Sequence, residues 1–397
     1  MSAQPDHASR DLIEEGRAAL ADGDPAAAAV LFHQLTQALP ADHESRYWLY
    51  SALVAAGESD AARQAMEDAR TLHSGACLHA LGIDAPRMKS DRAYCAEVGR
   101  QLYANQLMGP ASFALGQALD FDNLDANLML SYGLSLQHQG RMDEAIDVFT
   151  AAADLFPNPT VHEFLLYAVF HARDRMQRVS DEARKWGALY ADPLTPNAPV
   201  FANPRTADRR LRIGYVGPSF TRNQVAQFLL PVLEAHDPKA VDLFLYCANP
   251  QGEGELPPGC TLRGIGQLQD AAVADMIRGD QIDILVDTWG HTAGSRLGVF
   301  ALRPAPVQVA WINFVQTTGM KCMDYILHAD SMKVEGNEAY FTEEIWHIGP
   351  IVAPSRPSPD RLDPTPTPAL KNGYVTYGSF NNPAKLSEMK VQAGITT

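Results

Sequence analysis

A spacing recurs near both ends of the first 160 residues. GRAALADGDPAAAAVLFHQLTQALP carries Gly16, Gly23, Ala28, Phe32 and Pro40, and GLSLQHQGRMDEAIDVFTAAADLFP carries Gly133, Gly140, Ala145, Phe149 and Pro157. Successive landmarks lie 7, 5, 4 and 8 residues apart in both. Moving the first set on by 34 reaches Gly57, Ala62 and Met66; moving the second back by 34 reaches Gly99, Ala111 and Leu115, a weaker match. A fixed period of this size marks stacked supersecondary units, each unable to bury its apolar face alone. Small residues at Ala28, Ala62 and Ala145 let two helices approach closely. Glycine at 23, 57 and 140 suits a turn that needs a permissive backbone, and proline closes the second helix. An alanine-rich helical bundle is the plainer alternative, and the concordant spacings weigh against it.

The period and landmarks resemble the tetratricopeptide repeat, a helix–turn–helix unit of 34 residues. The repeat region is expected over 9–160, interrupted or degenerate around 73–100 (GACLHALGIDAPRMKSD). Stacked units of this kind form a concave surface for a protein or peptide. Residues 161–207 read as a helical linker, with four prolines between Pro193 and Pro204 marking a boundary.

A net charge of −15 argues against a nucleic-acid backbone or an anionic membrane as the main partner. The five cysteines show no paired or metal-ligand spacing and suit free thiols in a reducing compartment. The polar start MSAQPDHASRDLIEEG lacks a signal-peptide core, and no apolar run is long enough for a membrane span. These features predict a soluble, cytoplasmic protein.

From 208 to 355 the pattern becomes α/β. Apolar strands are expected at Leu211–Gly217, Val241–Ala248, Ile282–Gly290, Ala305–Phe314 and Met323–Asp330, with helical stretches between them. This alternation implies a parallel sheet covered on both faces, with ligands beyond the carboxyl ends of its strands. The loops GPSFTRNQ, DTWGHTAGSR and FVQTTGM sit there, and GSFNNPAK would sit there in a following domain. A proline-rich linker spans 356–371, and GYVTY at Gly373–Tyr377 reads as the strand that opens a second lobe over 372–397.

LRIGYVGPSF, DILVDTWGHTAG, FALRPAPVQVAW, TTG, MDYI and GSFNNPAKLS, in this order behind the repeats, resemble the protein O-linked N-acetylglucosamine transferases, the SPINDLY-like family. The resemblance covers roughly 9–385. It implies a tetratricopeptide superhelix followed by the Rossmann-like N-terminal lobe of a GT-B glycosyltransferase, with the second lobe only begun. The implied reaction moves N-acetylglucosamine, or a related sugar, from a UDP donor to Ser or Thr hydroxyls of proteins, with inversion. No metal or cofactor is implied, since helix N-termini and basic side chains can stabilise a departing diphosphate.

By the same resemblance, Asn382 falls where the family holds a polar amide and Lys385 matches the lysine that reaches the donor phosphates. Asn223 stands where the family carries a histidine proposed as catalytic; an asparagine cannot act as a base near neutral pH. The family's glycine-rich turn before TTG is Ile312–Gln316 here, so an altered backbone is expected. His291, at the ligand edge four residues after Asp287, is the remaining candidate base; a loop histidine bonded to backbone is the alternative. Asp287 is a positioning residue or a turn cap. Thr317, Thr318 and Gly319 either offer amides to a ligand or form a structural turn. Arg303 reaches a phosphate or pairs with a carboxylate, and His328 and His347 read as structural. Two functions follow: an incomplete protein O-glycosyltransferase, or a non-catalytic repeat scaffold with a degenerate lobe. A separate second lobe or another copy of the chain could complete the half-cleft.

Overall fold

The computed structural model describes residues 7–119, 125–172, 175–206, 208–351, 353–355, 366–373 and 375. The strand expected at Gly373–Tyr377, and Asn382 and Lys385, lie outside the described residues. The chain divides into two compact units at Val148/Phe149, and each is described by itself.

The first unit is helical: α1 (His7–Ala21), α2 (Pro25–Ala38), α3 (His43–Ala55), α4 (Ser59–Ala80), α5 (Ala85–Met88), α6 (Arg92–Ala104), α7 (Met108–Ala118), α8 (Ala126–His138) and the start of α9 (Met142–Leu155). The repeat spacing has a direct physical cause. A Cβ on Gly16 would come within 2.6 Å of the Phe32 ring, and a Cβ on Gly99 within 2.6 Å of Leu115. Each glycine therefore makes room for a large apolar side chain sixteen residues later, on the second helix of its pair. Gly23, Gly57 and Gly140 all have positive φ, at +79°, +81° and +75°, the turn conformation their positions called for. Ala28, Ala62 and Ala145 are buried. Aspartates hold the helix starts: Asp24, Asp42, Asp91 and Asp125 accept from the amides of Ala27, Ser45, Tyr94 and Asn127 at 2.7–3.0 Å. In the stretch expected to interrupt the array, α4 runs on to Ala80 and α5 follows before the α6/α7 pair begins.

The second unit opens with the rest of α9 and the pair α10 (Pro159–His171) and α11 (Arg175–Trp186). After α11 the helix widens into a π turn at Gly187–Ala191. A sheet follows: β1 (Leu211–Gly217), α12 (Ala226–Ala235), β2 (Val241–Cys247), β3 (Thr261–Gly264), α13 (Asp270–Gly279), β4 (Ile284–Asp287), α14 (Leu297–Ala301), β5 (Val307–Ala310), β6 (Tyr325–His328) and β7 (Glu344–His347). All pairings are parallel, in the order β3-β2-β1-β4-β5-β6-β7. Five strands were expected. β3 and β7 are four-residue edge strands with half-exposed patterns, too short to carry a period.

Alternation along the strands feeds two cores. Val216, Tyr246 and Leu285 pack on one face with α13, α14 and Trp186. Tyr215, Leu245 and Val286 pack on the other with Leu229 and Leu233 of α12. Thus the helical stretch over 161–194, expected as a linker, delivers Leu166, Ala183, Trp186 and Ala191 into the core of the lobe. The connection that follows is tied down by Asp283, which accepts from Asn203, from both arms of Arg209 and from the Arg212 amide at 2.6–2.9 Å.

Candidate functional site

β1 is flanked by β2 on one side and β4 on the other, so the chain direction switches between β1 and β4. Doubly wound sheets bind ligands in the crevice at such a point, beyond the carboxyl ends. Three loops border it: 218–225 after β1, 288–296 after β4 and 311–316 after β5.

Glu253 clamps the first loop. Its carboxylate accepts from the Phe220 amide (3.0 and 3.1 Å) and the Thr221 hydroxyl (2.7 Å). Burial opposes its ionisation, but the Ser219 and Thr221 hydroxyls, the Cys247 thiol and the Phe220 amide outweigh burial and lower its pKa. Asn223 spends both ends of its amide within the loop, donating to the Ser219 carbonyl (2.8 Å) and accepting from the Ala226 amide (2.9 Å). It therefore starts α12. Arg222 and Gln224 beside it are exposed.

In the second loop Asp287 ends β4 and is buried. It accepts from the amides of Trp289 (3.2 Å) and Gly290 (2.8 Å), which shapes the turn. Burial pushes its pKa up to about 6, against the pull of those two amides. Gly290 is held at φ +61° with Phe314 directly over it. This turn carries His291 away from solvent. The ring is fully buried, packed edge-on to Trp186 (4.7 Å) and Phe314 (5.5 Å). Its Nε2–H donates to the Thr318 carbonyl at 2.8 Å, and its Nδ1 lies 3.9 Å from Glu163 of α10. The candidate base is thus enclosed, with its donor engaged by backbone.

Thr317, Thr318 and Gly319 are buried as well. Glu343 accepts from the Thr317 hydroxyl (2.7 Å) and from the amide (2.7 Å) and hydroxyl of Thr318. The Gly319 amide donates to Thr317 Oγ1 at 3.0 Å and the Met320 amide to Thr318 Oγ1 at 3.3 Å. The amides of Thr318, Gly319 and Met320 all have internal acceptors, so the turn faces the protein. Arg303 pairs with Asp324 (2.8 Å) and also binds the carbonyls of Pro306 and Cys322, fixing the lobe. In the third loop the altered turn places Ile312, a β-branched residue, at φ +91°, where L side chains are strained. Asn313 is exposed and ties this loop to the Trp289 carbonyl and the Thr292 hydroxyl, both at 3.1 Å.

Glu163, Glu253 and Glu343 organise the site and were not singled out from the sequence. Single carboxylates outside any motif give no local signal. Among the described residues no group of three or more His, Cys, Asp or Glu could hold a metal ion, and no helix is long and apolar enough to cross a membrane.

A helical-repeat array and a doubly wound parallel lobe with its crevice at β1/β4 define the class of the chain. Residues 158–346 match the family described as Glycosyl transferase family 41. The chain is 34% identical over 223 residues to the probable UDP-N-acetylglucosamine–peptide N-acetylglucosaminyltransferase SPINDLY of Hordeum vulgare, covering 54% of this chain and 24% of that protein. The Arabidopsis thaliana protein of the same name is 34% identical over 217 residues, covering 53% and 24%. A solved structure of a mutant Thermobaculum terrenum O-GlcNAc transferase superposes with a TM-score of 0.67 at 25% identity, covering 100% of this chain and 67% of that one. The chain spans about a quarter of the length of the curated relatives it matches. In its helical repeats followed by a Rossmann-like lobe the chain is similar to the O-GlcNAc transferase structure, and the family 41 match falls on the second of these parts.

Proposed function

We propose that this lobe serves a protein O-glycosyltransferase that moves N-acetylglucosamine, or a related sugar, from a UDP donor to Ser or Thr hydroxyls with inversion. The observation that carries the reading is a coincidence of place. The family match over 158–346 falls on the doubly wound sheet, whose β1/β4 crevice is where such sheets hold ligands. The repeats would present the acceptor protein. Lys385 would meet the donor diphosphate as a point charge and Asn382 would assist it, with no metal required. Incubating the full chain with radiolabelled UDP-N-acetylglucosamine and a Ser/Thr peptide library tests this. Alkali-labile label on peptide, lost in Lys385→Ala, is expected. Absence of label from every peptide tried, with UDP binding also absent, would sink the reading.

One observation favours a second reading, a non-catalytic repeat scaffold. In the three loops bordering the crevice the titratable side chains are Arg222, His291 and Arg296. The one imidazole among them is enclosed, and Asn223 is committed to starting α12. An acceptor hydroxyl would then lose its proton to a group outside these loops. The scaffold reading predicts peptide binding by the repeats with no sugar transfer under any condition.

A further inference from the structure

His328 and His347, the last residues of β6 and β7, are register partners on adjacent parallel strands, so they leave the sheet on the same face. Their ring centres are 6.3 Å apart. Nε2 of His328 lies 3.2 Å from the Val315 carbonyl, and Nδ1 of His347 lies 3.2 Å from the Ala329 carbonyl. A carbonyl can only accept, so these two nitrogens carry the protons. The other two ring nitrogens, Nδ1 of His328 and Nε2 of His347, take no hydrogen bond among the described residues. Both rings line a cavity of about 90 Å³ at the carboxyl edge of the sheet, together with Met176, Met332, Gln316 and Glu338.

We infer that this cross-strand pair is a binding site for a divalent d-block cation, Zn²⁺, Ni²⁺ or Cu²⁺, with the two bare ring nitrogens as ligands and water completing the shell. Three features carry the inference. An imidazole whose second nitrogen donates to a backbone carbonyl is oriented and made more basic, as metal-ligating histidines are. Imidazoles with thioethers nearby select d-block ions over Mg²⁺ or Ca²⁺. Finally, the spacing allows it. Metal–nitrogen bonds of roughly 2.0–2.1 Å place ring centres about 6.4 Å apart across one shared ion in a linear arrangement, so the observed 6.3 Å suits a near-linear pair, and a bent one requires the rings to close by about 1 Å. Glu338 lines the cavity without closing on the pair, while the exposed Lys333 at its rim can keep its ammonium in water. With no third His, Cys, Asp or Glu joining the pair among the described residues, the site stays open to water. It is therefore weaker than a closed structural site.

The full chain, stripped with chelator, would be titrated with Ni²⁺ in a calorimeter and with Cu²⁺ under electron paramagnetic resonance at pH 7.5. The expected result is one equivalent bound, with hyperfine coupling from two imidazole nitrogens. Affinity should fall at least tenfold in either His328→Gln or His347→Gln and stay unchanged in His43→Gln. A first equivalent bound as tightly by the double variant would overturn the proposal. Should the variants not fold, Cu²⁺ broadening of ring signals in the unaltered chain decides it: broadening of histidines other than 328 and 347 counts against the site.

Discussion

Gly187 and Gly319 meet backbone to backbone. A Cβ on Gly187 would sit 2.1 Å from the Gly319 carbonyl oxygen, and a Cβ on Gly319 would sit 1.9 Å from the Ala183 carbonyl oxygen. The Thr-Thr-Gly turn is thus pressed against the end of α11, where the helix widens into its π turn. Gly187→Ala should destabilise the lobe by about 2–3 kcal/mol, because neither backbone can retreat from a packed core. Gly319→Ala should cost more, since its φ of +73° adds conformational strain. Urea unfolding followed by tryptophan fluorescence reads both; a change under about 0.5 kcal/mol in either would show that the contact can open freely.

Glu343 holds the same turn from the opposite side, taking three donors from Thr317 and Thr318. Glu343→Gln turns an amide NH2 towards those donors, at an expected cost of about 2 kcal/mol. Thermal unfolding should show the loss, and Thr318→Val in the Gln background should add little to it. Full additivity would argue that the residues act independently.

Asp287 and Asp283 make opposite predictions with pH. Asp287 has its folded pKa raised to about 6, above its unfolded value near 3.9. Its contribution is present below about pH 4 and is lost as pH rises through about 6. Asp287→Asn escapes that penalty, so its stability relative to the native chain should improve by about 3 kcal/mol between pH 4 and pH 8. A difference that stays flat across this range would place Asp287 in contact with water.

Asp283 follows the reverse course. Burial works against its charge, but Arg209, the Arg212 amide and Asn203 outweigh burial and hold its pKa below the ordinary value. Its stabilisation is present above about pH 4 and is lost as pH falls through the depressed folded pKa. Asp283→Asn should cost about 2 kcal/mol at pH 7 and approach nothing near pH 2. Chemical denaturation at the two pH values separates this from a pH-independent packing loss.

His291→Gln should lower the unfolding midpoint through the lost bond to the Thr318 carbonyl, worth about 1–2 kcal/mol. Any transferase activity should fall only in proportion to the folded fraction. A collapse of turnover in a fully folded variant would restore His291 to the chemistry.

The repeat was legible because its causes are local or nearly so. Gly16 and Phe32 lie one helix apart, and a turn needing positive φ at Gly23 asks for glycine whatever the rest of the chain does. The central strands were legible for a similar reason, since burial on both faces demands an unbroken apolar run. The edge strands β3 and β7 were missed because four half-exposed residues make no such demand. What the residues around the crevice do was decided elsewhere. His291 and Thr318 looked like groups offered to a ligand, yet α10 and α11 close over them and Glu343 takes the free amide. Nothing near GHTAG or TTG encodes that cover. By itself the sequence determined the helical repeats, the central strands and the order in which they follow one another. Only the tertiary structure decided which polar groups meet solvent, because that depends on which distant segments pack over them.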